Sequence, residues 1–209
     1  MKRLVLFIIM SCCTSVACMA QRITPSLTVY HEFKPAVINL TDGRKLKQPL
    51  ANIFLKNSSL LYMKGTQAME ARMDNILSVE FDNRTYVKID TLLAYQVDTV
   101  GNNALYCAEQ IDFVAYRQTV LNNHVITNLS VSDQVSSTTI DLEDENDIHF
   151  PIINLYFFRL NGEFIYVHER NLSRHLSKEK RRMMKTIMSL DNFSWNNKDM
   201  LLKLLKAIE

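Results

Sequence analysis

Apolar and polar residues alternate with a period near two over most of the chain, and only towards the C-terminus does the spacing lengthen to that of a helix. Residues 26–33 put Leu27, Val29 and His31 on one side and Thr28, Tyr30 and Glu32 on the other, which predicts a strand. Residues 36–40 predict a second, and Asp42-Gly43 after it suits a type I′ hairpin, whose central residues both take positive φ. Pro49 is expected to end pairing there, since proline donates nothing to a ladder. Further strands are predicted at 52–56, 60–63, 76–81, 85–89, 92–99 and 104–109, with turn residues roughly every ten positions. The pattern then breaks over 112–121. Asp112 suits an N-cap, Ile111, Val114, Ala115, Gln118 and Leu121 share one helical face, and Asn122-Asn123 suits a helix end. Strands resume at 125–131 and 135–142, and 150–160 with 163–168 form a hairpin about Asn161-Gly162.

From Ser177 the period is helical. Met183, Ile187 and Leu190 line one side with Met184 and Met188 beside them, and Lys178, Arg181, Arg182 and Lys185 occupy the other. A joint over 191–197 carries Phe193 and Trp195, and a helix from Lys198 buries Met200, Leu201, Leu204, Leu205 and Ile208. The expected class is α+β: an antiparallel β-rich meander or small-barrel-like body, one internal helix, and a C-terminal helical element. In its strand lengths, 37–81 resembles an SH3-like or Sm-like roll, a resemblance that implies no activity.

The N-terminus changes the picture. Lys2 and Arg3 precede the apolar run 4–10, and small residues lead to Cys18-Met19-Ala20, so 1–20 is expected to be a signal peptide cleaved before Gln21. The run is too short for a bilayer core of about 30 Å, so no transmembrane helix is expected in the mature chain. Ser15-Val16-Ala17-Cys18 resembles a bacterial lipobox, with Ser15 where that pattern has an aliphatic residue, and offers lipidation at Cys18 as the competing expectation. Cleavage divides the rest into a body, 21–168, and the helical element, 169–209. It removes Cys12, Cys13 and Cys18, leaving Cys107 without a disulfide partner; in its apolar setting it reads as a buried hydrophobe rather than a catalytic thiol. Charge is unevenly spread. Residues 168–209 hold 10 Lys or Arg against 5 Asp or Glu, and residues 21–167 hold 12 against 17.

Four isolated glycines, Gly43, Gly65, Gly101 and Gly162, exclude dinucleotide, P-loop and nucleophile-elbow motifs. The acids of 141–147 invite calcium, but an EF-hand would need glycine at Asn146 and an acid at Ile152. His168 and His175 stand seven apart, where a zinc-protease helix has its histidines four apart. No catalytic residue, metal ligand or cofactor is therefore assigned. The binding candidate is the basic face Lys178, Arg181, Arg182 and Lys185, facing an unknown protein, a glycan or an anionic membrane surface; the alternative is a solvated face on a core-covering helix. Nucleic acid is not expected, because no aromatic residues interleave with these charges and the chain is expected to be exported.

The signal ending at Ala20, the segment Leu50-Ala51-Asn52-Ile53-Phe54-Leu55-Lys56-Asn57-Ser58-Ser59-Leu60-Leu61-Tyr62, and Tyr86-Val87-Lys88-Ile89 resemble a group of exported envelope proteins of Bacteroidales-type bacteria that carries no assigned activity. The resemblance implies export to the periplasm or association with the outer membrane, and supplies no site residues. The expected function is a non-enzymatic envelope protein with a binding or structural role. The alternative is a metal-dependent hydrolase acting on an envelope or dietary polymer, built where His149, His168 and the 141–147 acids converge.

Overall fold

A computed structural model of the chain describes residues 22–122 and 149–209. Its strands are β1 (Ile23–Thr24), β2 (Lys34–Leu40), β3 (Lys45–Phe54), β4 (Ser59–Lys64), β5 (Gln67–Glu70), β6 (Ile76–Phe81), β7 (Arg84–Ile89), β8 (Leu92–Val100), β9 (Asn103–Ile111), β10 (Phe150–Leu160) and β11 (Glu163–Tyr166). The helices are α1 (Phe113–Asn122), α2 (Glu169–His175), α3 (Lys178–Met188) and α4 (Lys198–Ala207). The α+β expectation holds in coarse form, with strand predominating. One antiparallel sheet runs β1-β10-β9-β8-β7-β6-β2-β3-β4-β5, and β11 joins β1 on the same flank of β10. Two meanders, β2–β5 and β6–β9, are thus joined by the pairing of β2 with β6, between Ala36↔Phe81 and Leu40↔Ile76.

The sheet curls into a half-barrel. The β3–β4 turn reaches back over β8 and β9: Leu93 N donates to Ser58 O at 2.8 Å, Ile111 N to Leu55 O at 2.7 Å, and Ser58 Oγ to Glu109 O at 2.8 Å. Inside the curl, Tyr30, Phe81, Tyr86 and Tyr95 form an aromatic ladder with centroids 4.9, 5.9 and 5.9 Å apart, packed against Ile38, Ile53, Leu60, Val79 and Leu93. A second core lies where the helices cover β8–β11: Leu105, Cys107, Tyr156, Phe158 and Ile165 on the sheet meet Leu172, Met184, Leu201, Leu204, Leu205 and Ile208. Here α4 rests on β8 and β9, α2 on β11, and α3 on α4, which makes α3 the outer layer among the described residues.

Several expectations need correcting. The segment 26–33 is not a strand: it makes one bridge, Thr28↔Phe54, because Ser26 and Thr28 hydroxyls bond the local backbone and compete with a ladder. Asp42-Gly43 is not a type I′ turn. Only Gly43 has positive φ, +83°, and Gly43 N donates to Leu40 O while Leu40 N donates to Arg44 O, giving a three-residue loop with a glycine bulge. β3 runs through Pro49, which sits at the register shift between the Lys34↔Ala51 and Ala36↔Gln48 pairs, where an unpaired residue tolerates a missing donor. α1 starts as expected, with Asp112 Oδ1 accepting from Ala115 N at 2.9 Å, but it turns Tyr116 inward onto Phe150 and leaves Val114 68% exposed. The Asn161-Gly162 hairpin has both φ positive, +51° and +88°, as its type I′ chemistry requires. The strands expected at 125–131 and 135–142 lie outside the described residues.

Candidate functional site

Local sequence sets up α3. Ser177 caps it, its Oγ accepting from Lys180 N at 3.3 Å, Glu179 stands in the first turn and Lys185 in the last, each charge matched to its end of the helix dipole. One side is tied down: Met184 is fully buried, Ile187 and Met188 pack beside it, and the Lys180 ammonium donates to Glu209 O at 2.5 Å. The other side carries Lys178, Arg181, Arg182 and Lys185, all exposed. At 3.6 residues per turn these four lie within about 100° of the circumference and span about 10 Å along the axis. Arg181 is partly steadied by donating Nε to Leu176 O at 2.9 Å.

No carboxylate among the described residues of the body is paired with these charges. Among the described residues the ion pairs are Arg22–Glu109, Arg44–Asp42 and Arg72–Asp74, with His175 Nδ1 3.7 Å from Glu163 Oε2, and none of these contacts involves α3. Of these described contacts the last alone joins 168–209 to the body, between two exposed side chains. Among the described residues, apolar packing fastens the helical element to the sheet. The apolar stripe of α3 is also displaced from the sequence reading. Its centre is Met184, whereas Met183 is 42% exposed and Leu190, two residues past the helix end, is 43% exposed. A period-based reading finds the stripe's width but not its centre, which depends on how α3 meets α4.

The other candidate chemistry resolves as follows. Burial, first, and the nearby Glu109 carboxylate push the Cys107 thiol up to about 12, so it stays protonated at neutral pH and offers no thiolate nucleophile. Glu109 itself is buried beneath the Arg22 guanidinium, which donates to Oε1 at 2.5 Å and ties the residue preceding β1 to β9; sequence spacing across 87 residues held no sign of this pair. His168 is engaged as the N-cap of α2, its Nδ1 accepting from Arg170 N at 3.3 Å, and its ring stacks on Trp195 at 5.9 Å. A shallow cleft of about 270 Å³, lined by Asn103, Asn161, Glu163, His175, Lys180 and Glu209, opens beside the β10–β11 turn, with its charged groups already turned on one another. The acids 141–147, needed for the hydrolase alternative, lie outside the described residues, as does Cys18. Among the described residues no three His, Cys, Asp or Glu side chains are grouped to hold a metal ion. No helix among them is long and apolar enough to cross a membrane. Compared with family models, curated proteins and solved structures, the chain matches none.

Proposed function

We propose that this chain is an exported, non-enzymatic protein of the bacterial envelope that docks an anionic partner on the face formed by Lys178, Arg181, Arg182 and Lys185. The observation that carries the reading is that four adjacent cations stand exposed on the outer helix, with no carboxylate paired to any of them among the described residues. Unpaired cations repel one another over the few ångströms between neighbouring side chains, a cost that a partner's negative charge offsets. A helix that merely covered a core would be better served by acids interleaved at i+4. Export and envelope location rest on the 1–20 signal and on the family resemblance of the sequence.

The test replaces the four cations with glutamine in the full chain. The positions are exposed and Arg181 gives up its bond to Leu176 O, so folding should lose about 1 kcal/mol or less. The reading predicts that the protein loses its partner or its place in the envelope. Retention of both would refute it.

A further inference from the structure

The two cores meet along a polar seam on the inner face of the sheet, where Tyr95 packs against both. Register sets Tyr86 opposite Tyr95, Tyr95 opposite Cys107 and Cys107 opposite Tyr156, one row across β7–β10, with Glu109 opposite Asn154 beside it. Arg84 shares the Tyr86 face of β7, since side chains two apart on a strand point the same way. Its guanidinium lies over the Tyr95 ring, 4.0 Å from the centroid. Tyr86, Glu109 and Tyr156 are buried, while Arg84, Tyr95 and Asn154 stay partly open to solvent.

Polar capacity in this seam is unmet. Among the described residues no carboxylate pairs with Arg84; Glu109, whose charge reaches it, is already bonded to Arg22. An aromatic ring offsets part of the guanidinium's desolvation but leaves its N–H donors without acceptors. The Tyr86 hydroxyl lies near Arg84 and Tyr30 without reaching hydrogen-bond geometry with either, and Asn154 Oδ1 is buried with no partner. Buried polar groups are ordinarily satisfied, so this cluster calls for a further component.

We infer that the seam binds a small organic monocarboxylate, anchored on Arg84 and lying along Tyr95, at a site separate from α3. The carboxylate matches the planar donor fork of a guanidinium, which accepts it through two parallel bonds. Charge selects a monoanion. Arg22 and Arg84 against Glu109 leave one positive charge. A dianion such as phosphate would overbalance that charge and face both Glu109 and Asp199, whose carboxylate lies near Tyr156 at the start of α4. A short apolar body finds Tyr95 and Val97, both partly buried against the helix-covered core.

The test is ligand-observed NMR on the full chain, processed before Gln21, with butyrate and separately inorganic phosphate as probes at matched ionic strength. The inference predicts saturable binding of butyrate and weaker binding of phosphate. Arg84→Gln should weaken butyrate binding about tenfold or more. Arg84→Lys keeps the charge but loses the fork, and should weaken it about threefold or more in a chain whose melting by circular dichroism is near that of the original. Glutamine at Lys178, Arg181, Arg182 and Lys185 should leave butyrate binding unchanged. No butyrate binding, phosphate binding as tight as butyrate, or butyrate binding undiminished by either Arg84 change would overturn the inference. Loss of binding through the α3 changes would overturn it too, by moving the anion to that face.

Discussion

Leu204 lies at the heart of the helix-covered core, fully buried on α4 with Leu201, Leu205 and Ile208, against Leu105, Cys107 and Phe158 of the sheet. Replacing it with alanine removes three carbon atoms from a site with no solvent access. Transfer of that apolar area accounts for about 2 kcal/mol, and a cavity that rigid β9 and β10 cannot fill adds about 1–2 more. The expected loss is about 3–4 kcal/mol, which for a chain of this size lowers Tm by roughly 6–16 °C. The neighbouring exposed Lys203→Ala should change Tm by less than about 2 °C. The assay is thermal unfolding followed by circular dichroism, at low salt and at about 0.5 M salt, where charges beyond a few ångströms are screened. Helix and strand signals should melt together in one transition, because α4 shares its core with β8–β10. If charge between the acidic body and the basic tail held the helical element instead, salt would melt the helices first and Leu204→Ala would cost under 1 kcal/mol. Either result would refute the packing argument.

Three further outcomes follow from particular groups. Burial holds the Cys107 thiol and Tyr156 phenol at about 12 and pushes Tyr86 and Tyr95 higher still, so the folded state prefers all four protonated. Their contribution is fully present below about pH 8.5, where the unfolded thiol ionises, and is lost as pH rises towards 12; Tm should fall steadily above about pH 9, and a flat profile to pH 11 would contradict this. A chain beginning at Gln21 should expose its one thiol, Cys107, to a thiol reagent only on unfolding, and labelling of the native protein within minutes would contradict its burial. Arg22→Ala leaves Glu109 buried without its cation and should cost about 2 kcal/mol, most of it recovered by adding Glu109→Gln, a double-mutant coupling measured by denaturant unfolding.

Local chemistry made much of this fold legible. β6 and β10 begin and end where the alternation does, Asn161-Gly162 makes the turn its positive φ values require, and Asp112, Ser177 and Lys198 mark helix starts. What sequence reasoning missed depends on partners far along the chain. β5, Gln-Ala-Met-Glu, buries only Ala68 and carries no alternation strong enough to announce it. Pro49 would end an isolated strand, and only the register shift against β2 lets β3 continue. Nothing local says that β2 pairs with β6, the contact that turns two meanders into one sheet. At the candidate site the four cations were legible from their i, i+3, i+4, i+7 spacing. The exposure of Met183 was not, because it follows from the side α3 presents to α4, a tertiary choice that places Met184 innermost.

The proposed role needs the basic side of α3 to be an outward docking face on a helix anchored by its core. Its most direct test is fractionation of the producing cells, comparing the native chain with the variant carrying glutamine at Lys178, Arg181, Arg182 and Lys185, and washing half of each membrane pellet at high salt. The account predicts that the native protein sediments with membranes and is released by salt, and that the variant stays soluble. A native protein found wholly in the soluble fraction would contradict it, as would a pellet from which only detergent frees both chains, the behaviour expected of a lipid on Cys18.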